Sequence, residues 1–314
     1  MNLSVVIAVY NSSTILPDLV CRLEPVLAGR YDNYELILVN DGSKDNSWDV
    51  ICSLITKHSW IRGVNLMRNY GQHNALLCGI RHANFEVIVT MDDDLQHPPE
   101  EIPKLTQKLL EGFDVVYGTP KRQQHGIWRD TSSFITKLAL KTTVGIRTAR
   151  MVSAFRAFRV QVREAFANYR SSFVSLDVLF TWGTTKFAAI PVRHDPRQEG
   201  VSNYKIWQLI THSFNMITGF SSLPLQFASI VGFLFTIVGL IVFIYVIANY
   251  IINKGSVPGF PFLACIISIF SGIQLLMLGI FGEYLARVYF RTMDKPSSIV
   301  REIRNISENI SPEK

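Results

Sequence analysis

The stretch Val87-Ile-Val-Thr-Met-Asp-Asp-Asp-Leu-Gln-His-Pro-Pro-Glu100 drives an apolar, β-branched run directly into three consecutive carboxylates. Val87 to Met91 reads as a strand, and the Pro-Pro pair opens a helix near Pro99, because proline is tolerated in a first helical turn. The acids therefore fall at the carboxyl edge of a sheet, where α/β proteins bind ligands. Carboxylates this close repel one another, and a raised pKa, a basic partner or a divalent cation relieves the repulsion. Hard cations such as Mg2+ or Mn2+ take oxygen ligands and share them with substrate phosphates. On an extended chain Asp92 and Asp94 alternate onto one side with Gln96 next, which makes these three the expected ligands. The competing reading is a solvated acidic turn capping the next helix; the strand before and the helix after favour the ligand site.

Outward from this turn, strand and helix patterns alternate. Leu3 to Val9, Glu35 to Val39, Gly63 to Leu66, Val115 to Tyr117 and Phe187 to Val192 read as strands. Leu16, Leu19, Val20, Leu23 and Leu27 recur at helical spacing after the cap candidates Ser12 and Ser13, with Pro25 expected to kink the helix end. Trp48, Ile51, Leu54 and Ile55 mark a second helix, capped by Asp45 or Asn46, and a third spans Gln72 to Ala83. The order predicts an α/β domain with a mostly parallel sheet and helices on both faces.

The rest of the chain is of another kind. Of 314 residues, 48% are apolar, and the mean hydropathy of +0.20 is high for a wholly soluble protein. Neither Leu225 to Ile252 nor Gly255 to Gly282 contains a charged residue, and each exceeds the ~20 residues that cross a bilayer core. A buried helical hairpin is the alternative, but the remaining apolar mass is too small to wrap both segments. Arg197 and Lys205 before the first span, and Arg287, Arg291 and Lys295 after the second, predict a multi-pass inner (plasma) membrane protein with both termini cytoplasmic. Just before the spans, Ile206, Leu209, Ile210, Ser213, Ile217 and Phe220 form one helical stripe, expected to lie in the membrane interface.

The expected divisions are 1–200 for the catalytic domain, 201–222 for the interfacial segment, 223–291 for the transmembrane hairpin and 292–314 for a cytoplasmic tail. Met1 leads straight into the first strand, so no secretory signal is expected. Four scattered cysteines offer neither metal-ligand spacing nor a disulfide framework. A net charge of +6 suits a domain held against anionic lipid, or simple solubility; nucleic acid is not an expected partner. Ser268 and Gly272 are spaced to let spans pack closely, within one chain or in a homo-oligomer.

Four motifs carry a resemblance. Val5-Val-Ile-Ala-Val-Tyr-Asn11, Val39-Asn-Asp-Gly-Ser-Lys-Asp45, Arg68-Asn-Tyr-Gly-Gln-His73 and the acidic turn resemble, in order and spacing, the family 2 glycosyltransferases that act on polyprenyl phosphates. The resemblance implies a GT-A nucleotide-binding domain and inverting, metal-dependent transfer from a nucleotide-sugar donor, a UDP-sugar, to undecaprenyl or a related polyprenyl phosphate. It makes Asp41 an acceptor for the nucleotide base and lines that pocket with Tyr10 and Asn11. Asp92, Asp94 and Gln96 would hold Mg2+ or Mn2+ at the diphosphate, while Asp93 stands where the family has a small residue and takes no ligand role. Arg122, Arg129, Ser133 and Arg156 would contact the acceptor phosphate. Arg150 and Ala154 depart from the family segment, which carries an acid and a glycine there. Two rivals share the early motifs: a processive polysaccharide synthase, whose Gln-x-x-Arg-Trp motif is missing here, and a non-catalytic membrane protein on the same fold.

Overall fold

The computed structural model describes residues 1–120, 151–171, 173–195, 223–253 and 259–306. The chain divides into two units, Met1–Ile210 with Asp294–Lys314, and Thr211–Met293.

In the first unit, strands β1 (Leu3–Val9), β2 (Tyr34–Asn40), β3 (Ile61–Leu66), β4 (Val87–Met91), β5 (Val115–Pro120), β6 (Arg156–Arg159), β7 (Phe187–Val192) and β8 (Val300–Arg304) form one sheet in the order β7-β5-β6-β4-β1-β2-β3-β8. Pairings β1·β2, β1·β4, β2·β3 and β5·β7 are parallel, whereas β6 and β8 run against their neighbours. Helices α1 (Leu16–Ala28), α2 (Ser47–Lys57), α3 (Gln72–His82), α4 (Ile102–Leu110) and α5 (Leu176–Gly183) cover it.

Side-chain alternation along the strands builds two cores. Leu3, Val5, Ile7, Leu36 and Leu38 face one side with the apolar stripes of α1, α2 and α4. Val6, Ile37, Val39 and Val64 face the other with α3, α5 and Phe158. Strands buried on both faces explain the near-continuous apolar runs.

Local corrections follow. Helix α1 starts after Ile15 with Pro17 in its first turn and uses no side-chain cap, so Ser12 and Ser13 do not cap it; Pro25 lies inside the helix. Asn46 takes the cap position of α2 without a side-chain bond, and Asp45 accepts instead from Ser47 N and Oγ. The helix after the acidic turn begins as a 3-10 turn, Pro99–Glu101. Residues 294–306 are more than a tail, since they contain β8, which pairs antiparallel with the β3 edge. Ser297 accepts from Arg81, and Met67 N donates to Ile299 O, fastening the same segment.

The second unit contains α6 (Leu223–Asn253) and α7 (Phe260–Thr292). Pro224–Asn249 and Ile269–Thr292 are long and apolar enough to cross a membrane, with mean hydropathies of 2.9 and 1.5. Helix α7 continues past Gly282 through a Glu283–Arg287 ion pair at 2.7 Å. The interfacial stripe falls at 206–220, outside the described residues.

Candidate active site

Because β6 and β8 run backwards, the carboxyl ends of the other six strands share one sheet edge with the amino ends of these two. The loops after β1, β2 and β4 all meet there.

The first two are sewn together. Asn11 N donates to Ser43 Oγ at 3.1 Å, Lys44 N to Asn11 Oδ1 at 2.8 Å, Ser12 N to Ser47 Oγ at 2.9 Å and Ser13 N to Asp45 Oδ2 at 3.1 Å. Asn11 adopts a left-handed backbone, φ 54°, a conformation that asparagine tolerates. Tyr10 is exposed at this edge, its ring open to a planar ligand. Asp41 is only 2% exposed, and its two oxygens accept from Tyr70 N at 2.7 Å and Gly71 N at 2.8 Å. Burial pushes its carboxyl pKa up against those backbone bonds, and Arg68 opposes the rise. Gly42, φ 64°, lies so close to this segment that a Cβ would sit 2.5 Å from Arg68 C and Asn69 N. The base-binding candidate is thus also the anchor of the loop that begins α3.

In the acidic turn the strand stops at Met91, and Leu95 is left-handed at φ 58°. The acids therefore occupy a turn, and the extended-chain alternation that grouped them does not apply. Asp94, 8% exposed, accepts from Gln96 N at 3.1 Å. Asp92 accepts from Gln72, and burial, then Asp94 and Asp93, push its pKa up to about 6, with Arg156 and Gln72 opposing. Asp93 turns to structure: it accepts from Ser12 Oγ at 2.5 Å and Tyr10 N at 3.4 Å, tying this turn to the first loop. Burial raises its pKa as well.

Two carboxylates and an amide, all hard oxygen donors in a partly desolvated and mutually repelling group, fit a divalent cation. Among the described residues no three His, Cys, Asp or Glu side chains form a ready cage, so substrate phosphates would complete the coordination.

Arg156 lies on β6, 1% exposed. Its guanidinium pairs with Asp177 and donates to Thr90 Oγ1 at 2.9 Å, while Tyr117 OH donates to the same aspartate at 3.1 Å. Its charge reaches Asp92, but its hydrogen bonds are to protein groups. Beside the turn, His97 stacks on Phe155 at 5.3 Å and meets His194 edge-on at 5.0 Å. Burial and His194 bring the His97 pKa down to about 4. Asp195 N donates to Gln96 O at 2.9 Å, pinning the end of β7 to the turn.

The structure thus gathers Tyr10, Asn11, Asp41, Asp92, Asp94 and Gln96 at one edge and sets Arg156 beneath it. Arg122, Arg129 and Ser133 lie outside the described residues. Gln72, Ser12 and Asp177 were given no place in the site from sequence, Ser12 figuring as a helix-cap candidate and Gln72 as the start of a helix. Of these, Asp177 left a visible signal, a lone acid in the apolar run Val174-Ser-Leu-Asp-Val-Leu-Phe180.

Comparison with known proteins agrees with this picture. The model of the family described as "Glycosyl transferase family 2" matches residues 4–169. Undecaprenyl-phosphate 4-deoxy-4-formamido-L-arabinose transferase from Shewanella sediminis (strain HAW-EB3) is 35% identical over 305 residues, covering 96% of this chain and 92% of that protein. The protein of the same name from Pseudomonas aeruginosa (strain LESB58) is 31% identical, with 98% and 92% covered. Among solved structures, glucosyl-3-phosphoglycerate synthase from Mycobacterium tuberculosis, crystallised with Mn2+, UDP and glucosyl-3-phosphoglycerate, superposes with a TM-score of 0.50 at 17% identity over 69% of this chain and 77% of that one. That likeness speaks for the fold alone, which is GT-A. Since the family model spans more than half of the chain and full-length relatives stand above 30% identity, the protein belongs to glycosyl transferase family 2 and is a glycosyltransferase.

Proposed function

We propose that the enzyme transfers one sugar from a UDP-sugar to undecaprenyl or a related polyprenyl phosphate, with inversion, using Mg2+ or Mn2+, at the cytoplasmic face of the inner membrane. The observation that carries the reading is the acidic turn: Asp92, Asp93 and Asp94 crowd together where β4 ends, tied through Asp93 to the β1 loop, at the sheet edge that also bears the sewn β1 and β2 loops. The full-length relatives make 4-deoxy-4-formamido-L-arabinose the first sugar to test.

In this reading Asp92, Asp94 and Gln96 hold the cation, which when bound neutralises charge growing on the leaving diphosphate. Tyr10 and Asn11 line the base pocket, and Asp41 fixes the Tyr70–Gly71 backbone beside it while its remaining lone pairs serve the base. The acceptor phosphate is already anionic at neutral pH, so it needs cationic groups to position it more than a base to deprotonate it. Arg122, Arg129 and Ser133 are assigned that role. Arg156 acts from below, where its buried charge favours ionised Asp92.

The test is to incubate full-length protein in vesicles containing undecaprenyl phosphate with UDP-4-deoxy-4-formamido-L-arabinose and a panel of other nucleotide sugars, then weigh the lipid product. One added sugar per lipid, abolished by a chelator, is expected. A polymer would indicate a processive synthase, and no product with any donor would sink the reading.

A further inference from the structure

We propose that Glu302, on the strand that follows the long apolar hairpin, is a positioning residue for the donor nucleotide. The inference rests on the reading of the β1 and β2 loops as the nucleotide pocket.

A directional chain of hydrogen bonds connects the two places. Ser43 N donates to Asn40 Oδ1 at 3.3 Å, Asn40 Nδ2 to Asn65 Oδ1 at 2.9 Å, and Asn65 Nδ2 to Glu302 Oε1 at 3.3 Å. Beyond Ser43 the chain continues into the first loop, because Ser43 Oγ accepts from Asn11 N, and Asn11 Oδ1 accepts from Lys44 N. Asn40 and Asn65 are buried at the ends of adjacent parallel strands, and β8 covers the open edge of β3.

The chemistry at the end of this chain sets its direction. An amide can present either its oxygen or its nitrogen, and an ionised carboxylate can only accept. Glu302 therefore obliges Asn65 to turn its nitrogen outward, which obliges Asn40 to offer its own nitrogen to Asn65 and its oxygen to Ser43. Each bond in such a row polarises the next. Ser43 N, a backbone donor, imposes the same direction from the other end, so without an acceptor at position 302 Asn65 Nδ2 loses its partner and the row is held from one end only. The turn that anchors Asn11 then samples more than one arrangement. The second Glu302 oxygen accepts from Arg304 Nε at 3.0 Å, a bond outside the chain, which provides an internal control.

The experiment titrates detergent-solubilised full-length protein with UDP in the presence of Mn2+ by calorimetry and, in parallel, measures KM for the UDP-sugar and kcat with undecaprenyl phosphate. Loss of one such bond corresponds to about a fivefold weakening of UDP binding and a matching rise in donor KM in Glu302→Ala, with kcat near wild type. Glu302→Gln, whose amide can accept from Asn65 but does not impose that direction, should fall between wild type and Glu302→Ala. Arg304→Ala removes the strand's ion pair but leaves the chain, so it should bind UDP like wild type whatever it does to thermal stability. Equal UDP affinity in wild type and Glu302→Ala would overturn the inference while leaving the nucleotide reading intact. So would equal weakening by Arg304→Ala and Glu302→Ala, which would mark a general effect of the strand. Wild-type protein that binds no UDP at all would overturn the nucleotide reading and this inference with it.

Discussion

Asp94 is buried in the acidic turn and is assigned above to the cation at the leaving diphosphate, so Asp94→Ala should lower transfer at least about a hundredfold, as expected for losing an electrostatic contact to the leaving group, with the folded state retained. Steady-state rates across a Mn2+ titration together with circular dichroism test this; unchanged metal-dependent turnover would remove Asp94 from the ligand set. Asp41→Ala has a different signature, because it strands the Tyr70 and Gly71 N–H groups as well as emptying the base pocket. We expect a loss of about 2–4 kcal/mol in stability from two unsatisfied donors, alongside weaker UDP binding. Denaturant unfolding and calorimetry on the same preparation separate the two effects. The place of the acids at the sheet edge was legible in the sequence, since the apolar strand that ends at Met91 runs straight into them. Their partners were not: Gln72 meets Asp92, and Ser12 meets Asp93, only because parallel strands distant in sequence end at one edge. Asp177 and Arg156 find each other by the same long-range route, 21 positions apart and on different elements.

Among the elements, α3 shows how tightly a helix can lie on the sheet. A Cβ at Gly79 would come 2.4 Å from Val6 Cγ1 and 2.8 Å from Val39 Cγ2. Gly79→Ala should therefore destabilise by about 1–3 kcal/mol through overpacking, although alanine is the better helix former. A thermal melt that rises instead would mean the helix can retreat freely. Strands β1 and β4 coincide with their apolar runs at Leu3–Val9 and Val87–Met91, because burial on both faces leaves an unbroken signal, and β7 coincides with Phe187–Val192 although it is an edge strand with only Ala188 and Val192 buried. Strand β6 escaped sequence reading, having four residues with arginine at both ends, and its membership of the sheet depends on β4 and β5 flanking it. The same holds for β8, Val300-Arg-Glu-Ile-Arg304, whose charged alternation suits a sheet edge and resembles a polar tail. Helix α5 is only eight residues long, too short for periodicity to stand out.

At the scale of the whole molecule, catalytic chemistry and apolar spans belong to separate units. Replacing residues 211–293 by a flexible linker should leave UDP binding intact, because the hydrogen bonds described around the loops all lie in the first unit. Transfer to undecaprenyl phosphate in vesicles should fall by about a hundredfold or more through lost effective concentration, with a short water-soluble prenyl phosphate used about as well as before. Undiminished transfer in vesicles would show that the spans are dispensable for reaching the lipid. Strand β8 also sets an order of events during synthesis. Translation proceeds from the amino terminus, so both long apolar helices must leave the ribosome before the strand that completes the β3 edge exists. Until then the catalytic sheet is one strand short, and a nascent chain stalled at position 293 should be cut by protease in the β3 region far faster than the finished protein. Full donor affinity would then arrive only once both spans have been made, so β8 would tie the finished nucleotide pocket to a chain already equipped with its spans.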